Sequence, residues 1–136
     1  MKELCVYHHL GLGDHFDLNG MIRYYLKNGW DKVHVFAKSN YSHMIEYMYR
    51  DNKDIIVVTI DNNHSEISQV MEYYKLSSCE TLQEIGFSKY PFNQEHLYDK
   101  NCWEFFYEQV NIPYNVHTEM FYVERDKEAE NKLMKE

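Results

Sequence analysis

The pattern of hydrophobic and polar positions predicts an alternation of strands and helices along residues 1–76. Short runs of β-branched and aromatic residues between polar positions predict strands, whereas apolar residues at helical spacing predict helices. This alternation is typical of a parallel sheet with helices on both faces, so we expect an α/β three-layer sandwich. The predicted strands cover 3–8, 32–38 and 54–61, and the predicted helices follow Asp14 and cover 39–52 and 65–76.

Local signals refine these boundaries. Asp14 is a plausible N-cap of the first helix, with Asp17 in the capping-box position, and Gly29 is a C-terminal stop signal. We expect Ser39 or Asn40 to cap the second helix. The strand "DIIVVTID" is a continuous apolar run, which is typical of a strand buried on both faces.

The second half of the chain is less regular. We expect a fourth strand within "CETLQEIGF", a loop over "KYPFNQEHLYD" and an aromatic helix over 101–113, ended by Pro113. The segment "EMFYVERD" is predicted to be extended, and "KEAENKLMKE" to be a charged terminal helix or a frayed end.

Composition and net charge argue against several classes of partner. The chain has 136 residues, enough for one domain, and a net charge of −8. An acidic surface argues against nucleic acid and against anionic membranes as partners. No apolar run approaches the roughly 20 residues that span a bilayer. Cysteines are few, odd in number and widely spaced, so we expect reduced thiols in a cytoplasmic protein: Cys5, Cys79 and Cys102.

The stretch "GLGDHF", Gly11 to Phe16, lies where a first strand meets a first helix. Such a turn binds anions by default, because free N–H groups and the helix dipole face the ligand. Here Phe16 replaces the third glycine of the dinucleotide fingerprint, and a carboxylate at Asp14 would repel a pyrophosphate. No G-K-[ST] follows either. We therefore expect no nicotinamide, flavin or P-loop nucleotide, and no cofactor.

Asp14 is the candidate catalytic residue. The helix dipole stabilises a carboxylate, so Asp14 should stay ionised and could accept a proton from a substrate hydroxyl as a general base. The alternative is that Asp14 only caps the helix. Gly11 and Gly13 would keep the turn open around it.

Three histidines lie beside this aspartate. His8 and His9 are adjacent on a strand and point to opposite faces, which argues against one shared metal ion, so we expect no metal site. His15 or His9 is more plausible as a substrate hydrogen-bond partner, and a solvent-exposed histidine with no role is an equal alternative. Further along the helix, Asn19 and Arg23 are candidate ligand contacts.

Two residues on this helix face have alternative roles that do not involve a ligand. Arg23 could instead pair with Asp17 or Glu46. Gly20 either allows tight packing on the sheet or leaves room for a ligand.

The stretch "HLGLGDHFDLNGMIRYYLK" resembles the N-terminal signature of a group of bacterial and viral glycosyltransferase-like proteins. It is more distantly similar to the G-x-G-D start of heptosyltransferases with the GT-B fold. A later stretch, "FFYEQVNIPYNVHTEMFYVERDKEAE", also resembles that group, so the two cover most of the chain.

The resemblance implies a pair of Rossmann-like domains, of which residues 1–136 form the N-terminal, acceptor-side one and the donor-side one is absent. Asp14 would be the base, Gly11, Gly13, His15, Asn19 and Arg23 would bind substrate, and the ligands would be a nucleotide-sugar and a hydroxyl acceptor such as a carbohydrate. We expect this chain to need a second domain or another copy of itself for transfer. Two alternatives stay open: a non-catalytic α/β interaction module, and a metal-dependent hydrolase that uses the His/Asp cluster.

Overall fold

The computed structural model describes residues 2–8, 11–61, 65–85, 102–126 and 128. Among these residues, strands and helices alternate through four strands, and two short helices follow. The strands are β1 (Glu3–Tyr7), β2 (Lys32–Lys38), β3 (Ile55–Ile60) and β4 (Thr81–Glu84). The helices are α1 (Leu12–Lys27), α2 (Ser42–Met48), α3 (Glu66–Leu76), α4 (Cys102–Gln109) and α5 (Val116–Glu119).

The described strands form one four-stranded sheet in the order β3-β2-β1-β4, and every neighbouring pair is parallel. In register, Leu4 of β1 lies opposite Val33 of β2 on one side and Thr81 of β4 on the other. β1 is therefore an interior strand. The predicted fold class is confirmed: the protein is an α/β Rossmann-like three-layer sandwich.

One face of the sheet packs against α1, α2, α4 and α5. Alternate strand residues such as Leu4, Val6 and Val35 point into this layer because successive side chains on a strand face opposite ways. Phe106 and Tyr107 of α4 belong to the same apolar cluster, and both are buried. This is the larger core of the molecule, and we call this side of the sheet the α1 face.

The opposite side, the α3 face, carries a smaller core of Cys5, Phe36, Ile60 and Val70. Several polar residues on this face are paired with one another. The His34 ring lies 2.8 Å from Glu3 Oε1 through Nε2 and 2.7 Å from the Tyr73 hydroxyl through Nδ1.

Ser78 Oγ also donates a hydrogen bond to Glu3 Oε2, at 2.5 Å. Hydrogen bonds from Ser78 and His34 hold the pKa of the Glu3 carboxyl below its usual value. The charge of Glu3 is thus satisfied within the α3 face.

Several predicted boundaries are confirmed. β2 covers 32–38 as predicted, and α3 (Glu66–Leu76) matches the helix predicted over 65–76. Ser65 is its N-cap, and the Ser65 Oγ accepts a hydrogen bond from the N–H of Ser68. Gly29 follows the last turn of α1 with φ of 111°, and the N–H of Trp30 donates to the carbonyl of Tyr25. This is the glycine stop of a Schellman motif, which only a residue without Cβ adopts easily.

The predicted helix caps at Asp14 and at Ser39 or Asn40 are wrong. α1 begins at Leu12 with Gly11 as N-cap, so Asp14 already lies inside the first turn. α2 begins at Ser42 after Tyr41 and is much shorter than 39–52. In both places the chain enters the helix without a side-chain cap, since neither N-cap residue makes such a hydrogen bond.

The prediction that the third strand is buried on both faces is also wrong. β3 lies at the edge of the sheet, and its middle residues Ile56, Val57 and Val58 are only partly buried. A continuous apolar run cannot by itself distinguish an interior strand from an edge strand. The short helix α5 was not predicted, and the loop "KYPFNQEHLYD" and most of "KEAENKLMKE" lie outside the described residues.

Candidate functional site

The predicted site lies at the carboxyl end of β1. The chain passes from β1 outward to β2 and β3, then returns through α3 to pair β4 with the other side of β1. The N–H of Ile85, just after β4, donates to the carbonyl of Tyr7 at 2.8 Å. Ligands of open α/β sheets bind outside the carboxyl ends of the strands at such a change of strand order. Gly11 to His15 follow directly on this edge.

Asp14 occupies the third position of α1, where the helix dipole favours a negative charge. Its carboxylate lies against the backbone of Gly11: a Cβ on Gly11 would approach Asp14 Oδ2 to 3.0 Å. Gly11 therefore leaves the space that the carboxylate occupies. Gly13 is exposed within the same turn, so these glycines belong to a helix start rather than to a long open loop.

Asp17 is a feature of the site that sequence reasoning assigned to capping or to a pair with Arg23, and not to substrate binding. It lies one helical turn after Asp14, and its Oδ2 is buried without a hydrogen-bond partner among the described residues. Burial raises the pKa of Asp17 to about 6, with a smaller opposing effect of His117 and a further increase from Asp14. The signal in the sequence was the spacing of two carboxylates three residues apart on one helix face.

His15 is not solvent-exposed: only 1% of it is accessible. Its ring meets the His8 ring edge-to-face, with the centroids 4.4 Å apart. Neither ring nitrogen of His15 has a hydrogen-bond partner in the part of the chain that the structure describes. Desolvation lowers the pKa of His15 to about 4, so the ring is neutral at physiological pH.

Asn19 is fully buried and joins α1 to the segment after α5. Its Nδ2 donates to the carbonyl of Tyr122 at 3.1 Å, and the Tyr122 N–H donates back to Asn19 Oδ1 at 3.0 Å. The amide thus replaces the backbone partner that an extended segment would otherwise need. The predicted contact between Asn19 and a ligand stays a prediction.

Arg23 binds Asp51 through two parallel hydrogen bonds of 2.8 and 2.9 Å. Its remaining donors reach Asn19 Oδ1 and the Tyr122 carbonyl, at 3.2 and 2.8 Å. The guanidinium also lies over the rings of Tyr49 and Tyr122.

The two predicted partners of Arg23, Asp17 and Glu46, are therefore replaced by Asp51. A bidentate, stacked arginine of this kind fixes geometry more firmly than a single ion pair does. Its predicted contact with a substrate also stays a prediction.

Gly20 serves close packing, as one of the alternatives held. The neighbour is α5 rather than the sheet: a Cβ on Gly20 would come within 2.5 Å of the Val116 carbonyl oxygen and 3.0 Å of His117 Cα. The same helix face thus carries Asn19, Gly20 and Arg23, and all three hold the segment from α5 to Tyr122 against α1.

An apolar groove lies beside the first turns of α1. It has a volume of about 420 Å³ and runs between α1, α2 and the segment after α5. Phe16, Met44 and Tyr47 are each 43–49% exposed on its walls. Phe16, which breaks the dinucleotide fingerprint, therefore points away from the sheet into this groove. The other lining residues are His43, Met48 and Val123.

The two carboxyl groups at the carboxyl end of β1, those of Asp14 and Asp17, determine what chemistry is possible there. A helix-start carboxylate and a second, half-buried carboxyl can accept protons or hydrogen bonds from hydroxyl groups. Within residues 2–8, 11–61, 65–85 and 102–126, no three His, Cys, Asp or Glu side chains are grouped so that they could hold a metal ion. In that same part of the chain no helix combines the length and the apolarity needed to cross a bilayer.

Comparison of the chain with protein-family models, with curated proteins and with solved structures finds no match.

Proposed function

We propose that this chain is the acceptor-binding domain of a glycosyltransferase-like protein. Its ligand is a hydroxyl-bearing acceptor such as a carbohydrate, and a donor-binding domain supplies the nucleotide-sugar. The observation that carries the proposal is the position of Asp14, in the first turn of α1 at the carboxyl end of an interior parallel strand. That position combines the usual ligand edge of an open α/β sheet with a group that accepts protons.

In the proposed reaction, Asp14 accepts the proton of the acceptor hydroxyl while the hydroxyl oxygen attacks the anomeric carbon of the donor. The bond from that carbon to the nucleoside diphosphate breaks, and the diphosphate leaves with the electron pair. A general base of this kind contributes about 10²- to 10⁴-fold to the rate. Asp17, one turn further along α1, is a second carboxyl group near the same position.

The other predicted binding residues take two roles in this proposal. Gly11 gives the Asp14 carboxylate its space, and Gly13 keeps the helix start accessible. Asn19 and Arg23 act as positioning residues, because their hydrogen bonds hold the segment at Tyr122 against α1. His15 supports the turn from inside, where its buried ring packs on His8.

The proposal is tested with a panel of sugars and glycosides, titrated calorimetrically into the wild-type chain, Asp14→Asn and Asp14→Ala. We expect an acceptor to bind the wild type and Asp14→Asn, since an amide oxygen still accepts a hydrogen bond, and to bind Asp14→Ala at least about 10-fold more weakly. Glu72→Gln, an exposed carboxylate change on α3, is the matched control. Equal binding by all four chains would remove Asp14 from the site.

Transfer is measured separately, with the chain joined to a donor-binding domain. Asp14→Asn should then lose about 10²- to 10⁴-fold in turnover while its thermal melt changes little. The isolated chain should transfer no sugar, because one domain forms only one wall of the cleft between two domains. Full transfer by Asp14→Asn would leave Asp14 without a catalytic role.

A second candidate function is a non-catalytic interaction module, and the apolar groove at Phe16, Met44 and Tyr47 favours it. Its occupant would be an apolar segment of another protein, since the walls are mainly aromatic and methionine side chains, which adapt to such segments. Tyr47→Glu should then abolish capture of that protein, whereas Asp14→Ala should not. Under the acceptor-binding proposal the two substitutions have the opposite effects on sugar binding.

A further inference from the structure

Two cysteines meet on the α3 face, away from the candidate site. Cys5 lies in β1 and is fully buried, while Cys79 lies in the connection from α3 to β4 and is half-buried. Their sulfur atoms are 2.8 Å apart. A disulfide bond is about 2.05 Å long, so the two sulfur atoms need to approach by less than about 1 Å to bond.

The backbone around both cysteines is held in place by independent contacts. The N–H of Cys79 donates to Ser77 Oγ at 3.2 Å, and the N–H of Glu80 donates to the carbonyl of Glu3 at 3.1 Å. Strand pairing then fixes the chain on the other side, where Cys5 lies opposite Leu82. Because the connection is fixed at both ends, the proximity of the two thiols is a property of the fold.

We propose that Cys5 and Cys79 are a redox-active dithiol, which a peroxide oxidises to an intramolecular disulfide. Cys79 reacts first, because its side chain is the partly accessible one. Its thiolate attacks the peroxide, the O–O bond breaks, and a sulfenic acid forms while hydroxide leaves. Cys5 then attacks the Cys79 sulfur, the S–O bond breaks, and the second hydroxide leaves. The two thiol protons convert both hydroxides to water, so two thiols lose two electrons and one peroxide gains them.

The order of the two steps follows from the surroundings of the thiols. Burial and the adjacent thiol of Cys79 raise the pKa of Cys5 well above its usual value, so Cys5 is protonated and does not react with a dissolved oxidant. It can still act as the resolving thiol, since it already contacts the sulfur that becomes oxidised. A buried resolving cysteine next to an accessible one favours the disulfide over further oxidation of Cys79.

The oxidised chain should also be more stable. The two cysteines are 74 residues apart in the sequence, and a cross-link over so long a loop restricts the unfolded chain strongly. We expect the midpoint of thermal unfolding to rise by about 10 °C or more in the oxidised form. The disulfide would join β1 to the start of β4, the two strands between which the strand order changes.

The test uses the full chain, first reduced and then treated with one equivalent of hydrogen peroxide. Peptide mapping by mass spectrometry without reductant should show one cross-linked pair containing Cys5 and Cys79, with the loss of two hydrogen atoms. Thiol reductant should reverse both the cross-link and the rise in the unfolding midpoint. Cys102→Ser, which removes the third cysteine, should behave like the wild type, and Cys79→Ser should form no intramolecular cross-link.

Three results would overturn the proposal: sulfinic or sulfonic acid at Cys79 as the main product, a cross-link that includes Cys102, or no reaction with peroxide. The wild-type peptide map decides between these results without any variant. A failure of Cys79→Ser to fold would therefore leave the test intact.

Discussion

Two clusters of polar groups, one on each face of the sheet, differ in how their hydrogen bonds are satisfied. On the α3 face, the His34 ring is paired on both nitrogens, with Glu3 and with Tyr73. On the α1 face, at the carboxyl end of β1, neither nitrogen of the buried His15 ring has a hydrogen-bond partner among the described residues. The buried Oδ2 atom of Asp17 also lacks a hydrogen-bond partner among these residues. The described residues thus satisfy the hydrogen bonds of the His34 ring and leave those of the His15 ring unmade.

This difference supports the proposal that the ligand site lies at the carboxyl end of β1. Leaving a buried polar atom without a hydrogen bond costs about 1–3 kcal/mol, so native proteins keep such atoms rarely and often at functional sites. These two groups lie near the edge of the sheet at which α1 begins, with Asp14 in its first turn. The paired cluster on the α3 face lies near the opposite ends of β1 and β2, where Glu3 begins its strand.

The α1 face also depends on one close contact between helices, at Gly20. The α1 face is closed by four helices and by the segment at Tyr122, which Gly20 allows to approach. Gly20→Ala should destabilise the protein by about 2–4 kcal/mol, because the new Cβ meets a backbone oxygen that cannot move alone. Urea unfolding measures the change. Gly13→Ala is the matched control in the same helix, at an exposed position, where the higher helix propensity of alanine should leave stability unchanged or increase it. A loss of similar size at Gly13 would show that the contact between Gly20 and Val116 is not responsible.

The two histidines provide the most direct contrast between the faces. His34→Leu should cost about 1–3 kcal/mol, since it leaves Glu3 and Tyr73 without their buried partner. His15→Leu should change stability by less than about 1 kcal/mol or increase it, because it removes a polar ring that the described residues leave without hydrogen bonds. Equal losses in the two variants would erase the proposed difference between the clusters.

The pH dependence of stability should reveal the cluster at the carboxyl edge. The raised pKa of Asp17, about 6, means that the native state binds more protons than the unfolded state between pH 4 and 6, so this group stabilises the protein as the pH falls. The lowered pKa of His15, about 4, does the reverse, because the unfolded ring takes up its proton first. In the wild type these two slopes oppose each other.

Single variants should separate the slopes. From pH 7 to pH 5, Asp17→Asn should lose stability relative to the wild type and His15→Leu should gain it, each by about 1 kcal/mol after allowance for solvent screening of the half-buried carboxyl. Urea unfolding at the two pH values measures the differences, and all other groups cancel between the chains. Identical slopes in the three chains would contradict the burial of both side chains.

The sequence was sufficient for the order of the elements from β1 to α3 and for the parallel sheet, because β2 and α3 carry strong periodic signals. It was insufficient where tertiary contacts decide. The apolar run of β3 does not reveal that it lies at an edge, and Gly11, with no side chain, gives no sign that it caps α1 in place of Asp14. The role of Asn19 depends on Tyr122, which is 103 residues away.

For the candidate site, the sequence predicted its position after the first strand, but not the burial or the pKa values of its side chains. It identified Asp14 and His15 by their place after a strand. The burial of His15, whose ring packs on His8, and the raised pKa of Asp17 result from tertiary packing, which no local pattern describes.

The central claim is that the carboxyl end of β1 binds the ligand, and amide chemical shifts test it most directly. The isotopically labelled chain is titrated with the best-binding sugar of the panel. We expect the largest shift changes to fall on Gly11, Gly13 and Asp14, and we expect Asp14→Ala to abolish them. Shift changes centred on Tyr47 and Met44 in the apolar groove, or changes that persist in Asp14→Ala, would contradict it.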